Sequence, residues 1–246
     1  MTRLRPKITV SAHDIAALLA PRVVAGKTLM VGVTGSVAVG KTTLSEALKT
    51  ALSGAFQVAS VSTDGFLMPN EALAARGLTL RKGYPETYDT HRFVSAIEQA
   101  RIGPTVFPGY SHITYDVDVD HARTIDRPDI LLLEGLGFAP TAEGPSPGGC
   151  LDALVYIDAR EEDLEAWYVR RFLGFWRAAE TDPGSFYAQF RTMSEPEVDA
   201  FARMVWTRVN LPNLREHISR ARSMADIVLF KARNHGLTLV REKISA

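Results

Sequence analysis

Eight residues, Gly35-Ser-Val-Ala-Val-Gly-Lys-Thr42, combine glycines, a lysine and a threonine at a spacing that suits the binding of phosphate groups. Gly35 and Gly40 allow the backbone to turn tightly and to approach an anion closely. Successive N–H groups can then point inward, and the start of a following helix adds its positive end. In such a loop Lys41 reaches the terminal phosphates of a nucleotide, and Thr42 holds Mg²⁺. The alternative, a glycine-rich turn with an incidental lysine, is disfavoured by the strand–loop–helix context.

Two acidic residues follow runs that predict buried strands. Asp64 comes after the run at 57–62, and Glu134 follows the run at 129–133. Ligands of open parallel sheets bind beyond the carboxyl ends of the strands, so we expect both carboxylates near the phosphate-binding loop. In phosphoryl transfer to a hydroxyl, Asp64 suits the role of base, and Glu134 suits that of Mg²⁺ ligand. Either acid alone could be a helix cap, and their combination with the loop favours a catalytic role.

Strands and helices that alternate along the chain must position these residues. Apolar runs indicate the strands, and apolar residues at helical spacing indicate the helices. Strands are predicted at 28–34, 57–62, 129–133, 152–157, 226–230 and, as an edge strand, 237–243. Helices are predicted at 11–25, 42–53, 90–101, 161–177, 195–209 and 213–222. Between them, 65–89 is predicted to be a long loop with a short helix, and 104–128 a mostly irregular excursion. This alternation predicts an α/β protein of the three-layer P-loop NTPase type, in which helices flank a mainly parallel sheet.

Length and charge narrow the possible functions. A chain of 246 residues predicts a single domain, and 28 basic and 28 acidic residues give a formal net charge of zero. There is thus no global attraction to nucleic acid or anionic lipid, so positive charge for an anionic ligand must be local. The lone Cys150 cannot form an internal disulfide, and neither a membrane span nor a signal peptide is evident. We therefore expect a cytoplasmic enzyme that binds neither nucleic acid nor membrane.

Further motifs occur in an order similar to that of the bacterial type I pantothenate kinases, which are related to uridine kinase and phosphoribulokinase. They lie at 32–42, 62–67, 82–89, 110–117, 133–136, 167–172, 181–183 and 234–235. The phosphate-binding loop is shared by many nucleotide-binding proteins, whereas TDGFL, KGYPETYD and YSHITYD are much more specific to this family. The resemblance extends over about residues 28–241, which is nearly the whole chain.

The resemblance implies that a homodimer phosphorylates pantothenate to 4′-phosphopantothenate, the first step of coenzyme A biosynthesis, with ATP and Mg²⁺. It implies that Lys41, Asp64 and Arg171 are catalytic and that Thr42 and Glu134 bind the metal. The implied nucleotide-binding residues are Gly35, Ser36, Val37, Ala38, Val39, Gly40, Lys41, Thr42 and Thr43. Within the single domain we expect a short N-terminal helical segment (1–27), a substrate-binding excursion (65–125) and a helical lid or pocket region (161–222).

The resemblance also implies a pantothenate pocket lined by Tyr110, His112, Tyr115, Tyr168 and Asn234. These side chains supply neutral donors and acceptors, which suit a substrate with a carboxylate, an amide and two hydroxyls. Tyr168 and Arg171 are three residues apart on one predicted helix, so they share a face. Taken singly, Tyr168 could be a core aromatic and His112 an ordinary loop histidine.

Two features depart from the family pattern. About 27 residues precede the first strand, whereas the resemblance implies a longer region that contributes to the adenine end of the nucleotide site. Glu46 stands where the resemblance implies a basic residue associated with feedback inhibition by coenzyme A, and a carboxylate there repels phosphate. We therefore expect weak feedback. Two alternatives stay open, a kinase for another small hydroxyl substrate and a regulatory module that binds nucleotide without phosphoryl transfer.

Overall fold

The computed structural model describes residues 8–139 and 144–243. The strands in these ranges are β1 (Ile8–Val10), β2 (Leu29–Gly35), β3 (Val58–Ser62), β4 (Thr105–Ser111), β5 (Asp116–Ile125), β6 (Ile130–Glu134), β7 (Ala153–Ala159), β8 (Ile227–Lys231) and β9 (Leu237–Glu242). The α-helices are α1 (Ala12–Leu19), α2 (Lys41–Leu52), α3 (Asn70–Ala75), α4 (Thr90–Ala100), α5 (Glu161–Ala178), α6 (Glu195–Val205), α7 (Leu211–Asn213) and α8 (Arg220–Met224). The first seven residues of the predicted N-terminal segment lie outside the described ranges.

Seven strands form one sheet in the order β1-β9-β8-β7-β2-β6-β3. The five strands from β8 to β3 are parallel to their neighbours, and β9 and β1 extend the sheet in antiparallel fashion. Every residue of the central strand β2 is buried, so both of its faces are covered. This is the expected pattern for a parallel sheet between two layers of helices. The six predicted strands and the α/β class are confirmed.

Capping side chains in the local sequence determine where helices α1 and α4 begin. Ser11 caps α1 in a capping box with Asp14, and the Asp89 side chain caps α4 by accepting the Arg92 N–H at 2.9 Å. The predicted break between the helices at 195–209 and 213–222 is wrong. The chain instead remains helical through π-helical turns at Trp206–Asn210 and Leu214–Ile218. Pro212 lies inside this helical stretch, and the wider π turns on either side accommodate a residue without an N–H.

The prediction that 104–128 is mostly irregular is also wrong. These residues form an antiparallel hairpin of β4 and β5, with Ser111 opposite Asp116 near its tip. Pro108 lies at a shift of register between Phe107 and Gly109, where a bulge tolerates a residue without an N–H. Most of β5 is exposed, so its side chains do not show the alternation of a half-buried strand. No helix in the described ranges is long and apolar enough to cross a membrane.

Candidate active site

The loop between β2 and α2 has the backbone geometry of an anion-binding cradle. Gly35 has a φ of 144° and Gly40 a φ of 98°, values that strain any residue with a side chain. A Cβ atom on Gly35 would lie 2.4 Å from the Ile157 carbonyl oxygen. Ala38 also has a positive φ, of 60°. The buried Ser36 hydroxyl has no hydrogen-bond partner among the described residues, which leaves it available to a bound ligand.

Lys41 is the first residue of α2, and its ammonium group bends back over the loop. Lys41 Nζ donates to the Ser36 carbonyl oxygen at 2.9 Å and to that of Gly35 at 3.4 Å. Burial lowers the pKa of Lys41, while the carboxylates of Glu134 and Asp64 oppose this shift. The lysine therefore lies within the electrostatic range of both predicted acids, as a residue that binds terminal phosphates must.

The two acids lie at the carboxyl ends of neighbouring strands. Glu134 of β6 is paired with Ser62 of β3, and Asp64 follows two residues later with its N–H donated to the Ser62 hydroxyl at 3.2 Å. Thr42 Oγ1 donates to Glu134 Oε1 at 3.1 Å. Burial raises the pKa of Glu134, the nearby Asp64 adds to the shift, and the Lys41 ammonium opposes it. No hydrogen bond from the described residues engages the Asp64 carboxylate, so it is free to accept one from a substrate.

A buried threonine fastens these strand ends together. Thr63 Oγ1 donates to the Leu136 carbonyl oxygen and accepts the Leu136 N–H, each at 3.0 Å. Between the two acidic turns, a Cβ atom on Gly135 would lie 1.9 Å from Thr63 Oγ1, so only glycine permits this approach. Thr34 Oγ1 adds a bond of 2.8 Å to the Gly135 carbonyl oxygen. The spacing of the two carboxylates is thus set by buried hydroxyl groups.

The β4–β5 hairpin presents three of the predicted pocket residues as one wall. The Tyr110 ring lies 5.3 Å from that of His112 and 6.1 Å from that of Tyr115. Tyr115 stacks on Phe186 at 4.7 Å, and the Phe186 N–H donates to the Ile113 carbonyl oxygen at 2.7 Å. The hairpin tip is therefore joined to the turn Phe186–Phe190, which follows α5 in the chain.

Helix α5 carries two further predicted site residues, Tyr168 and Arg171. Tyr168 is half-buried, with its ring 6.0 Å from that of Trp206. Arg171 is exposed, with its guanidinium carbon 5.3 Å from the Phe175 ring centre, and no ion pair engages it in the part of the chain that the structure describes. Burial raises the pKa of Tyr168, and the Arg171 cation opposes the shift.

Charged residues of α5 and of the acidic turns affect the pKa of a histidine in the hairpin. Loss of hydration lowers the pKa of His112; the charge of Asp64 opposes this shift, and that of Arg171 adds to it. Burial also raises the pKa of Tyr115, and raises that of Tyr187 to about 12. At neutral pH the tyrosines therefore stay protonated, and they offer hydroxyl groups that can donate as well as accept.

Lys82 lies beneath the hairpin wall with only 6% of its side chain exposed. Its ammonium group donates to Asn70 Oδ1 at 2.6 Å, lies 3.9 Å from Asp116 Oδ1 and sits 4.7 Å from the Tyr115 ring centre. Burial lowers the pKa of Lys82 to about 8, although Asp116 and the more distant Asp64 oppose the shift. A buried cation thus supports the aromatic wall from behind.

With this geometry, comparison with known proteins is informative. No family model matches the chain. It is 42% identical over 219 residues to a pantothenate kinase from Chelativorans sp. (strain BNC1), a match that covers 84% of this chain and 68% of the relative. The chain belongs to the pantothenate kinase family. A member from Streptococcus pneumoniae (strain P1031) is 39% identical over 212 residues, with 84% of this chain and 69% of that protein covered.

Solved structures agree with this family in fold. A candidate fructose transport system kinase from Silicibacter sp. TM1040 superposes with a TM-score of 0.69 at 22% identity, over 88% of this chain and 95% of that one. At that identity the likeness concerns the fold alone. It confirms the predicted three-layer kinase architecture, in which the nucleotide loop joins the first parallel strand to a helix.

The structure brings most of the site residues predicted for this family into one region, at the carboxyl edge of the sheet. The loop residues, Asp64 and Glu134 lie at the strand ends, the three hairpin residues come from β4–β5, and Tyr168 and Arg171 come from α5. Asn234 differs. It lies in the exposed turn between β8 and β9, where its Oδ1 accepts the Gly236 N–H at 3.1 Å. No hydrogen bond joins it to the four other predicted pocket residues within the described ranges.

Sequence reasoning missed several residues that shape the site. Thr63 and Lys82 gave no separate signal, although Thr63 lies in the motif at 62–67 and Lys82 opens the motif at 82–89. Lys231 lies at the end of β8, where its ammonium group donates to the Val39 carbonyl oxygen at 2.7 Å. A lysine at the carboxyl end of a parallel strand is the pattern that could have identified Lys231, since ligands bind at that edge.

Proposed function

We propose that this protein transfers the γ-phosphoryl group of ATP to the 4′-hydroxyl of pantothenate, as the first step toward coenzyme A. The observation that carries the proposal is the position of Asp64. Its charge acts on Lys41 of the nucleotide loop and on His112 of the hairpin, while its carboxylate has no hydrogen-bond partner among the described residues. A base of that kind serves a reaction between a bound nucleotide and a bound alcohol. The names of the relatives support pantothenate as that alcohol.

The reaction follows from these positions. Asp64 accepts the proton of the 4′-hydroxyl as its oxygen forms a bond to the γ-phosphorus of ATP. The bond between that phosphorus and the bridging β–γ oxygen breaks, and ADP leaves with the electron pair. Loop amides and Lys41 bind the phosphate oxygens, and Arg171, free of an ion pair in the described structure, stabilises the charge that develops on the transferring group.

The residues present fit a magnesium ion. Thr42 Oγ1 at the start of α2 and Glu134 Oε1 at the end of β6 are hard oxygen ligands 3.1 Å apart, and Mg²⁺ prefers such ligands. In this proposal both residues hold the ion beside the nucleotide phosphates. When bound, Mg²⁺ neutralises charge on the phosphate oxygens. Its charge would also favour the ionised form of Glu134, whose pKa burial raises in the protein alone.

The proposed pocket uses neutral groups for specificity. Tyr110, Tyr115 and Tyr168 keep their protons because burial raises each pKa, so their hydroxyls can bind the amide and carboxylate of pantothenate. His112 adds a ring nitrogen at the open side. We include Asn234 because of its place in the motif at 234–235, and its side chain must release the Gly236 N–H to take part. A homodimer in the cytoplasm completes the proposal.

A substrate panel tests this function. Purified protein is assayed for ADP release with ATP, Mg²⁺ and one acceptor at a time: pantothenate, uridine, fructose or glycerate. We expect turnover with pantothenate at a specificity constant at least about a hundredfold above that of the others, since unpaired buried polar groups penalise a wrong substrate. Turnover of another acceptor without pantothenate would identify a different hydroxyl kinase. Nucleotide binding with no turnover of any acceptor would identify a regulatory module.

A further inference from the structure

Lys231 at the end of β8 is a second lysine at the nucleotide loop. Its ammonium group donates to the Val39 carbonyl oxygen at 2.7 Å and lies 4.7 Å from the centre of the Trp167 ring on α5. A Cβ atom on Gly40 would lie 2.7 Å from Lys231 Nζ, so the ammonium group rests directly against the Gly40 backbone. Three elements, β8, α5 and the loop, therefore meet at this side chain.

The bond to Val39 determines which way one peptide group points. In a trans peptide the carbonyl oxygen of one residue and the N–H of the next point in opposite directions. With the Val39 carbonyl oxygen directed at Lys231, the Gly40 N–H points to the other side of the loop. Gly40 has a φ of 98°, and glycine tolerates many backbone angles, so the Val39–Gly40 peptide could otherwise rotate. A rotated peptide would direct a carbonyl oxygen, which repels anions, toward bound phosphate.

The surroundings of Lys231 suit this fixed role. No carboxylate forms an ion pair with it in the described ranges, so its ammonium group is committed to the Val39 carbonyl and the Trp167 face. The Trp167 ring is buried and itself stacks on His235 at 5.1 Å, which restricts its movement. An ammonium group over a buried indole face is favourably placed. Lys41 differs, since it bonds to the opposite end of the loop through Ser36 and Gly35.

We propose that Lys231 is a positioning residue for nucleotide binding, which holds the Val39–Gly40 peptide so that the Gly40 N–H faces the phosphates. This inference rests on the nucleotide half of the proposed function. It concerns the affinity for ATP and is independent of which alcohol accepts the phosphoryl group.

The experiment measures the Kd of a non-hydrolysable ATP analogue by calorimetry and, separately, the Kd of pantothenate. Lys231→Met keeps the length and apolar contact of the side chain but removes the donor and the charge. We expect its Kd for the analogue to rise about tenfold to a hundredfold, the usual effect of losing a charged hydrogen bond, with the Kd for pantothenate unchanged. Lys231→Arg, which can stack on Trp167 and donate, should recover most of the affinity.

Lys243→Met is the matched control, because Lys243 Nζ also donates to a main-chain carbonyl oxygen, that of Met224, at 2.8 Å. We expect it to bind the analogue as the wild type does. Unchanged affinity in Lys231→Met, or equal losses for the analogue and pantothenate with a lower melting temperature, would overturn the inference. If Lys231→Met does not fold, Lys231→Gln replaces it in the same measurements. The glutamine side chain is one bond too short to reach Val39, so the same rise in the Kd for the analogue is expected.

The experiments distinguish a failure of the proposed function from a failure of the inference about Lys231. Wild-type protein that binds no ATP analogue would overturn both the proposed function and this inference. Wild-type protein that binds the analogue but phosphorylates no pantothenate would overturn the choice of acceptor alone, and the Lys231 comparison would still stand.

Discussion

Thr42 Oγ1 donates a hydrogen bond of 3.1 Å to Glu134 Oε1, which joins the first turn of α2 to the end of β6. The bond commits Glu134 to the nucleotide side of the site. Asp64, at the end of the neighbouring strand, has no such partner among the described residues. Two carboxylates at one sheet edge therefore have different surroundings, and this difference supports our proposal that Glu134 binds the metal and that Asp64 accepts the proton.

Replacing Asp64 with asparagine is expected to lower kcat about a hundredfold to ten-thousandfold, the contribution of a general base. Asparagine keeps the size of the side chain but cannot accept the hydroxyl proton. Binding of ATP should persist, because the nucleotide loop is unchanged. Steady-state kinetics and calorimetry check both parts, with Asp120→Asn on exposed β5 as control. Near-normal turnover in Asp64→Asn would falsify the role of the base.

Replacing Arg171 with alanine is expected to lower kcat by about a thousandfold, as with other arginines that stabilise a transferring phosphoryl group. Its guanidinium carries no ion pair in the described structure, so the change leaves no partner behind. The KM for pantothenate should change little. Arg170→Ala is the matched control, since Arg170 is the preceding exposed arginine on α5. Equal losses in the two variants would contradict a specific role for Arg171.

Coenzyme A is expected to inhibit this protein weakly. Glu46 is exposed on α2, the helix that begins at Lys41, and its carboxylate repels the phosphates of coenzyme A. Glu46→Lys should lower the inhibitory concentration of coenzyme A about fivefold or more at low ATP, as a reversal of one nearby charge predicts. The control Glu98→Lys, on the exposed face of α4, should not change this inhibitory concentration. Strong competitive inhibition of the wild type would contradict the prediction.

Lys82 is expected to make stability depend on pH in the alkaline range. Its pKa is about 8 in the folded protein against an ordinary value of 10.5, so the unfolded chain binds more protons between these values. The contribution of Lys82 to the free energy of unfolding therefore rises with pH through this window. Urea unfolding of the wild type and of Lys82→Met at several pH values measures this contribution to the free energy of unfolding. The difference, wild type minus variant, should increase from about pH 8 to pH 10, and a decrease would contradict the lowered pKa.

Much of the fold could be predicted because its core is built from local patterns. The continuous apolar runs of β2, β6 and β7 are typical of parallel strands buried on both faces, and they occur where they were expected. The β4–β5 hairpin could not be predicted in this way. Strand β4 contains Pro108, most of β5 is exposed, and the register of the hairpin depends on a bulge at Pro108.

For the site, the sequence by itself determined the chemical groups: a phosphate-binding loop with Lys41 and Thr42, and acids after two strands. Their types and their order along the chain are local properties. Only the tertiary structure decided which groups meet. The Thr63 hydroxyl sets the distance between the acidic turns, Lys82 supports the aromatic wall, and Lys231 reaches Val39 across 192 positions in the chain. These contacts join segments far apart in sequence, and no local pattern encodes them because they form only when the whole sheet assembles.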